Sequence, residues 1–214
     1  MENFSVAPEL RGVCNLGILW IDGVRIRESP SDLKRKIHEL TDAVASQYRS
    51  HAPGEIAGVK AIRRIFHKAG MDPTRYRPSS ESLLRRVVKG KGLYFINSAV
   101  DVVNYFSLKT LLPMGLYNAA LIQPPVELRI GKEGESYRGI GRDVLHLAHF
   151  PVLADSEGPF GSPISDSVRT QVTEDATRLL WVTLAPPDAK IGLEEFSEMM
   201  IRFNEGTVQA TATL

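Results

Sequence analysis

The chain has 214 residues, 43% of them hydrophobic, and 26 Lys and Arg stand against 25 Asp and Glu for a net charge of +1. That length suits one globular domain with its own core, read here as a single unit over 1–214, and the balanced charge excludes a molecule basic all over, so any polyanion-binding surface must be local. No apolar run reaches the roughly 18 to 20 residues of a membrane span, and the opening MENFSVAPELRG carries acids in place of the basic stretch of an export signal. The expectation is a cytoplasmic protein with no membrane partner, in which the lone Cys14 is a small buried residue rather than half of a disulfide.

Residues 17–27, GILWIDGVRIR, alternate apolar and polar positions around Asp22-Gly23 and read as strand material bent into a hairpin. The period then changes. Leu33, Ile37, Leu40, Val44 and Tyr48 recur every three to four residues after Ser29-Pro30-Ser31, which predicts an amphipathic helix. A second helix is predicted from about Glu55, with Ile56, Val59, Ile62, Ile65 and Phe66 on one face and Gly70 as its stop. A third follows a Ser79 or Ser80 cap, buries the Leu83-Leu84 and Val87-Val88 pairs and turns Arg85, Arg86 and Lys89 outward.

Residues 99–108, AVDVVNYFSL, are apolar nearly all round and predict a buried helix. Asp101 and Asn104 interrupt it, so each needs a hydrogen-bonding partner or a cavity, Asp101 more in a structural role. From Val126 the texture becomes β, with segments at 126–130, 143–147, 151–154 and 179–185 between turns at Gly139-Ile140-Gly141 and Gly158-Pro159-Phe160-Gly161. A helix over Leu193 to Phe203 stops at Asn204-Glu205-Gly206, and TVQATAT closes the chain as a strand. Helices first and strands later indicate α+β.

One segment is strongly basic: Arg75, Arg77, Arg85, Arg86, Lys89 and Lys91 are opposed within it only by Glu81. A solvated helix face and a phosphate-contacting patch both fit that pattern. The five histidines form no metal-ligand spacing, and no nucleophile elbow or phosphate-binding loop is present, so no metal or cofactor is expected. The polar stretch GSPISDSVRTQVTED, 161–175, could aim amides and hydroxyls at a carbonyl or anion; read by itself it is a turn capped by Asp166 that leads into a helix.

Residues 76–118, YRPSSESLLRRVVKGKGLYFINSAVDVVNYFSLKTLLPMGLYN, resemble the signature of the B3/B4 domain, the editing and tRNA-associated module of the phenylalanyl-tRNA synthetase β-subunit. Arg77-Pro78-Ser79, Ile96-Asn97, Val100-Asp101, Asn104-Tyr105, Leu108 and Pro113 carry the match, and the "GEIA", "FGSP" and "SDS-RT" blocks are similar to those of free-standing members. The resemblance is strongest over 54–187. It implies an α+β fold of antiparallel sheets packed against helices, and tRNA or aminoacyl-tRNA as partner. It further implies a pocket of Asn97, Asn104, Gly158, Phe160, Gly161 and Ser162, with Asn104, Ser165, Asp166 and Thr170 as catalytic candidates and the basic segment on RNA.

The sequence departs from the synthetase motif at Val103, at Gly115, where the motif has His, and near Val182 or Thr183, where it has an acid. No motif for complete aminoacyl-tRNA synthesis is visible. Three functions therefore stand open: hydrolysis of mischarged tRNA in trans, non-catalytic RNA or partner binding, and a small-molecule enzyme or amino-acid-binding protein that reuses the pocket.

Overall fold

The stretch RLLWVTLA, apolar after its first residue, becomes the strand around which the chain is organised. In the computed structural model, which describes residues 4–214, β9 (Arg178–Ala185) is buried from its second residue onward. It is paired on one edge with β2 (Asn15–Asp22) and on the other with β3 (Met114–Asn118), both antiparallel. A strand covered on both faces carries no polar alternation, which is why its sequence reads as a continuous apolar run. The last strand, β10 (Thr207–Thr213), joins the far edge of β2, and the order is β10-β2-β9-β3.

A second sheet has the order β1-β4-β7-β8, built from β1 (Phe4–Val6), β4 (Val126–Ile130), β7 (Pro151–Asp155) and β8 (Gly158–Gly161). Its β1–β4 pair is parallel and the rest antiparallel. A two-stranded ribbon of β5 (Ser136–Arg138) and β6 (Val144–His146) stands beside it. Five helices complete the α+β fold: α1 (Ser31–Tyr48), α2 (Ala57–Lys68), α3 (Ser79–Val88), α4 (Ser98–Thr110) and α5 (Leu193–Asn204). The helix α4 packs against α1, α3, α5 and β3, and Trp181 of β9 stacks on Phe196 of α5 with ring centroids 4.1 Å apart. No described helix is long and apolar enough to cross a membrane.

Three local expectations change. The hairpin at Asp22-Gly23 does not form: Gly23 turns the chain at φ +74°, but both edges of β2 are occupied by β9 and β10, so no edge is left for Val24 to Arg27 to pair with. The Gly158 to Gly161 turn is instead the strand β8, paired with β7. Neither Ser79 nor Ser80 caps α3, since Pro78 holds the cap position and Ser79 lies inside the helix, its N–H donating to the Pro163 carbonyl at 2.8 Å. Asp101 meets its requirement as a buried structural carboxylate, accepting from the Ser29 hydroxyl at 2.5 Å and the Ile96 N–H at 2.9 Å. Cys14 is buried, which pushes its thiol up to about 11.

Candidate functional site

Where the two sheets meet, side chains from β3 and β9 face β4, β7 and the turn after β8. Residues one and three of a strand share a face, so Gly115 and Tyr117 point the same way, and the Tyr117 ring leans back over the glycine. A Cβ at Gly115 would lie 2.0 Å from the Tyr117 hydroxyl, and one at Gly161 on β8 would lie 2.2 Å from it. The two glycines are thus the slot that the phenol occupies. Phe160 closes its side edge-on, with centroids 4.9 Å apart.

The Tyr117 hydroxyl donates to the Asp166 carboxylate at 2.7 Å. Asp166 keeps some contact with solvent as a residue, but its carboxyl lies deep in the protein mass. Burial lifts that carboxyl to about 7, against the opposing pull of the Tyr117 hydrogen bond and of backbone groups at Leu116 and Ser162. Burial, and then the neighbouring carboxylate, raise Tyr117 well above the ordinary phenol. Asp166 does not cap a helix; Ser167 caps the short turn of 168–170, accepting from the Arg169 N–H at 3.2 Å.

Beside this pair lies an inter-sheet cleft of about 30 Å³, lined by Leu16, Pro113, Met114, Gly115, Tyr117, Leu128, Pro151, Leu153, Ser162, Pro163, Val182 and Leu184. Space of that size holds a water or two, whereas drug-sized ligands occupy pockets of roughly 300 Å³ and above. Gly115 and Val182, which mark two of the three places where the sequence departs from the synthetase motif, the second of them at or beside Val182, are register partners across β3 and β9 and both line it. The third departure, Val103, is buried in α4.

The predicted pocket residues do not gather there as a set. Ser162 lines the cleft, and Gly161 and Phe160 enclose Tyr117 behind it. Gly158 sits at the other end of β8, where its carbonyl accepts from Arg169. Asn97 is the N-cap of α4, its side chain accepting from the Val100 N–H at 2.9 Å. Asn104 is half-buried on α4, outside the residues that line the cleft. Ser165 offers its carbonyl to the Tyr137 and Ser162 hydroxyls at 2.6 and 3.0 Å. Thr170 is fully buried with its hydroxyl unpartnered. Tyr117, which carries the polar end of the cleft, was not singled out in the sequence; its signal was the glycine two residues before it.

The basic segment does become a surface feature. Arg77, Arg85, Arg86, Lys89 and Lys91 line a groove of about 340 Å³ along α3 and the segment after it, with Tyr94 as its aromatic wall. Arg85 is partly neutralised there: Glu81, 1% exposed, accepts from its Nε at 2.7 Å and from Nε and Nη2 of Arg63 at 2.8 and 2.7 Å. The Arg86 guanidinium lies 3.7 Å over the Tyr94 ring and donates to its hydroxyl at 3.0 Å. Arg75 stands apart, in a depression with Tyr76, His146 and His149. Groove and cleft are joined through one contact, since the Ser79 N–H at the start of α3 holds Pro163 of the cleft rim.

An α+β domain with two facing, mostly antiparallel sheets and a glycine-walled cleft between them is the class these features define. The B3/4 domain model matches residues 61–211, and the chain belongs to that family. It is 20% identical over 183 residues to the uncharacterized protein YhzB of Bacillus subtilis, a match that covers 86% of this chain and 82% of that one. The phenylalanine–tRNA ligase beta subunits of Bartonella henselae and Thermobifida fusca are 28% and 25% identical over 137 and 150 residues, or 60% and 66% of this chain. The chain spans less than a fifth of those subunits, 17% and 18%. An N-terminal fragment of the phenylalanyl-tRNA synthetase beta-subunit from Pyrococcus horikoshii shares the fold, with a TM-score of 0.51 at 13% identity over 99% of this chain and 53% of that one.

Proposed function

We propose that the chain is a non-catalytic RNA-binding module whose ligand is tRNA or aminoacyl-tRNA, held by the groove along α3. The observation that carries this reading is the convergence of Arg77, Arg85, Arg86, Lys89 and Lys91 on one concave surface in a molecule whose net charge is only +1. Cations that merely solvate a helix need not share a groove. With Arg85 committed to Glu81, about four phosphate contacts remain, and each contributes roughly 0.7 to 0.9 to the log-log salt slope of binding. The cleft supports binding over hydrolysis. Its walls are almost wholly apolar, its volume of about 30 Å³ is too small for a large aminoacyl side chain, and the side chains of Gly115 and Val182 bring no acid or base.

The test is anisotropy of labelled tRNA titrated with protein across a range of salt. Arg86→Ala with Lys89→Ala should flatten the slope by the share of two contacts, and an unchanged slope removes the groove from the interface. Hydrolysis is the second reading, and one observation favours it: Asp166, shifted to about 7, is hydrogen-bonded to Tyr117 in the cleft wall beside Ser162. It requires the cleft to open on the substrate. Release of a noncognate amino acid from a panel of mischarged tRNAs by catalytic amounts of protein, abolished by Asp166→Asn, would install it in place of the binding reading.

A further inference from the structure

Between α3 and α4 the chain exposes three consecutive large apolar side chains: Tyr94 is 53% exposed, Phe95 41% and Ile96 60%. Single exposed apolar residues are ordinary, but a contiguous group held out to water is a mark of an interaction surface. The segment is not loose. Asp101, itself fixed by Ser29, accepts the Ile96 N–H, and Asn97 caps the helix that begins immediately after, so the rings are presented from a pinned backbone.

Cations flank the rings from two helices. Arg86 of α3 covers one side of Tyr94 at 3.7 Å, and Lys89 and Lys91 line the same groove. On the α1 side, Lys34 lies 5.7 Å from the Phe95 centroid and His38 meets that ring edge-on at 5.5 Å. Lys34 also pairs with Glu28 at 2.6 Å, so its charge is partly balanced. Flat rings between positive charges answer one ligand chemistry well: bases that stack while their phosphates meet the cations. Paired bases are closed to such contact, because their faces are already stacked within the duplex.

We propose that Tyr94 and Phe95 are a stacking platform for unpaired bases, so that the RNA taken by the α3 groove is single-stranded where it crosses this surface. The inference rests on the RNA-binding reading above and narrows it to a ligand form. Phosphates set the salt dependence and the rings set the preference for unpaired strand, so the two contributions separate experimentally. Tyr94 and Phe95 are exposed, and their alanine variants retain the core.

The experiment compares a single-stranded RNA of about 12 nucleotides with a hairpin of matched length, using the full chain, Tyr94→Ala, Phe95→Ala and Tyr94→Phe. The single strand should bind more tightly than the hairpin. Each alanine variant should weaken it by about 5- to 150-fold with the salt slope unchanged, and Tyr94→Phe, which keeps the ring, should bind like the parent. Equal binding of both RNAs with no loss in the alanine variants overturns the platform while leaving the groove in place. No binding of either RNA by a parent chain that does bind tRNA overturns the platform alone, and no binding of tRNA either removes both readings. Retention on vesicles of phosphatidylserine and phosphatidylcholine in equal parts, lost in the alanine variants while RNA binding is untouched, overturns the platform in favour of a membrane surface.

Discussion

Asp166→Asn isolates the energetics of the cleft in a single substitution. The amide has nearly the shape of the carboxyl and its oxygen can still accept from the Tyr117 hydroxyl, so the change removes titration more than packing. In the folded chain the carboxyl rises from its ordinary 3.8 to about 7, with burial as the leading cause. The native state therefore holds a proton that the unfolded chain has released at every pH between those two values. Stability from this group is full below the unfolded value and is lost as pH rises through the folded one. At about 1.4 kcal/mol per pH unit across that window, the loss between pH 5 and pH 8 is on the order of 3 kcal/mol. Urea unfolding of the parent chain from pH 5 to 8 should show that decline. Asp166→Asn should remove it, so that the variant gains on the parent steadily from pH 5 through 8. Parallel stability curves for the two proteins would refute the claim that the Asp166 carboxyl is held protonated by its surroundings.

Three further outcomes are expected. Gly115→Ala should destabilise by about 1 to 3 kcal/mol through overpacking against the Tyr117 hydroxyl, and the cost should shrink when Tyr117→Ala accompanies it, measured as a double-mutant cycle in denaturant. Burial raises the Glu81 carboxyl, but the hydrogen bonds from Arg63 and Arg85 outweigh it and leave the group below its ordinary value. Glu81→Gln should accordingly cost about 1 to 3 kcal/mol at neutral pH by weakening the charged hydrogen bonds to two partly exposed guanidinium groups, with much less difference from the parent once the pH falls below the carboxylate range, read by thermal melts. Asn97→Ala, which deletes the cap of the central helix α4, should cost about 1 kcal/mol in the same melts.

What could be read before folding was local or periodic. The three-to-four spacing located α1, and the Asn204-Glu205-Gly206 stop matches the end of α5 at Asn204. The run 179–185 located β9 because a strand covered on both faces leaves its composition as its signature. Cations crowded within one stretch of chain were visible because neighbours in sequence on and beside a helix remain neighbours in space, and all of them but Arg75 line one groove. The blocks matched to the B3/B4 signature identified the family without any contact being known.

The site itself required the third dimension. Gly115, Tyr117, Gly161 and Asp166 come from two sheets and a turn, and nothing in their spacing along the chain says that one phenol fills the space left by two missing side chains. The same limit undid the hairpin at Gly23, where a favourable turn was present but no strand edge was free. Local propensity and periodicity are properties of a few adjacent residues, so the amino-acid order alone determined the helices, the central strand, the family and the basic segment. Which groups share a cleft, how little room it has, and which charges are already matched depend on contacts between distant segments, and only the packed structure decided those.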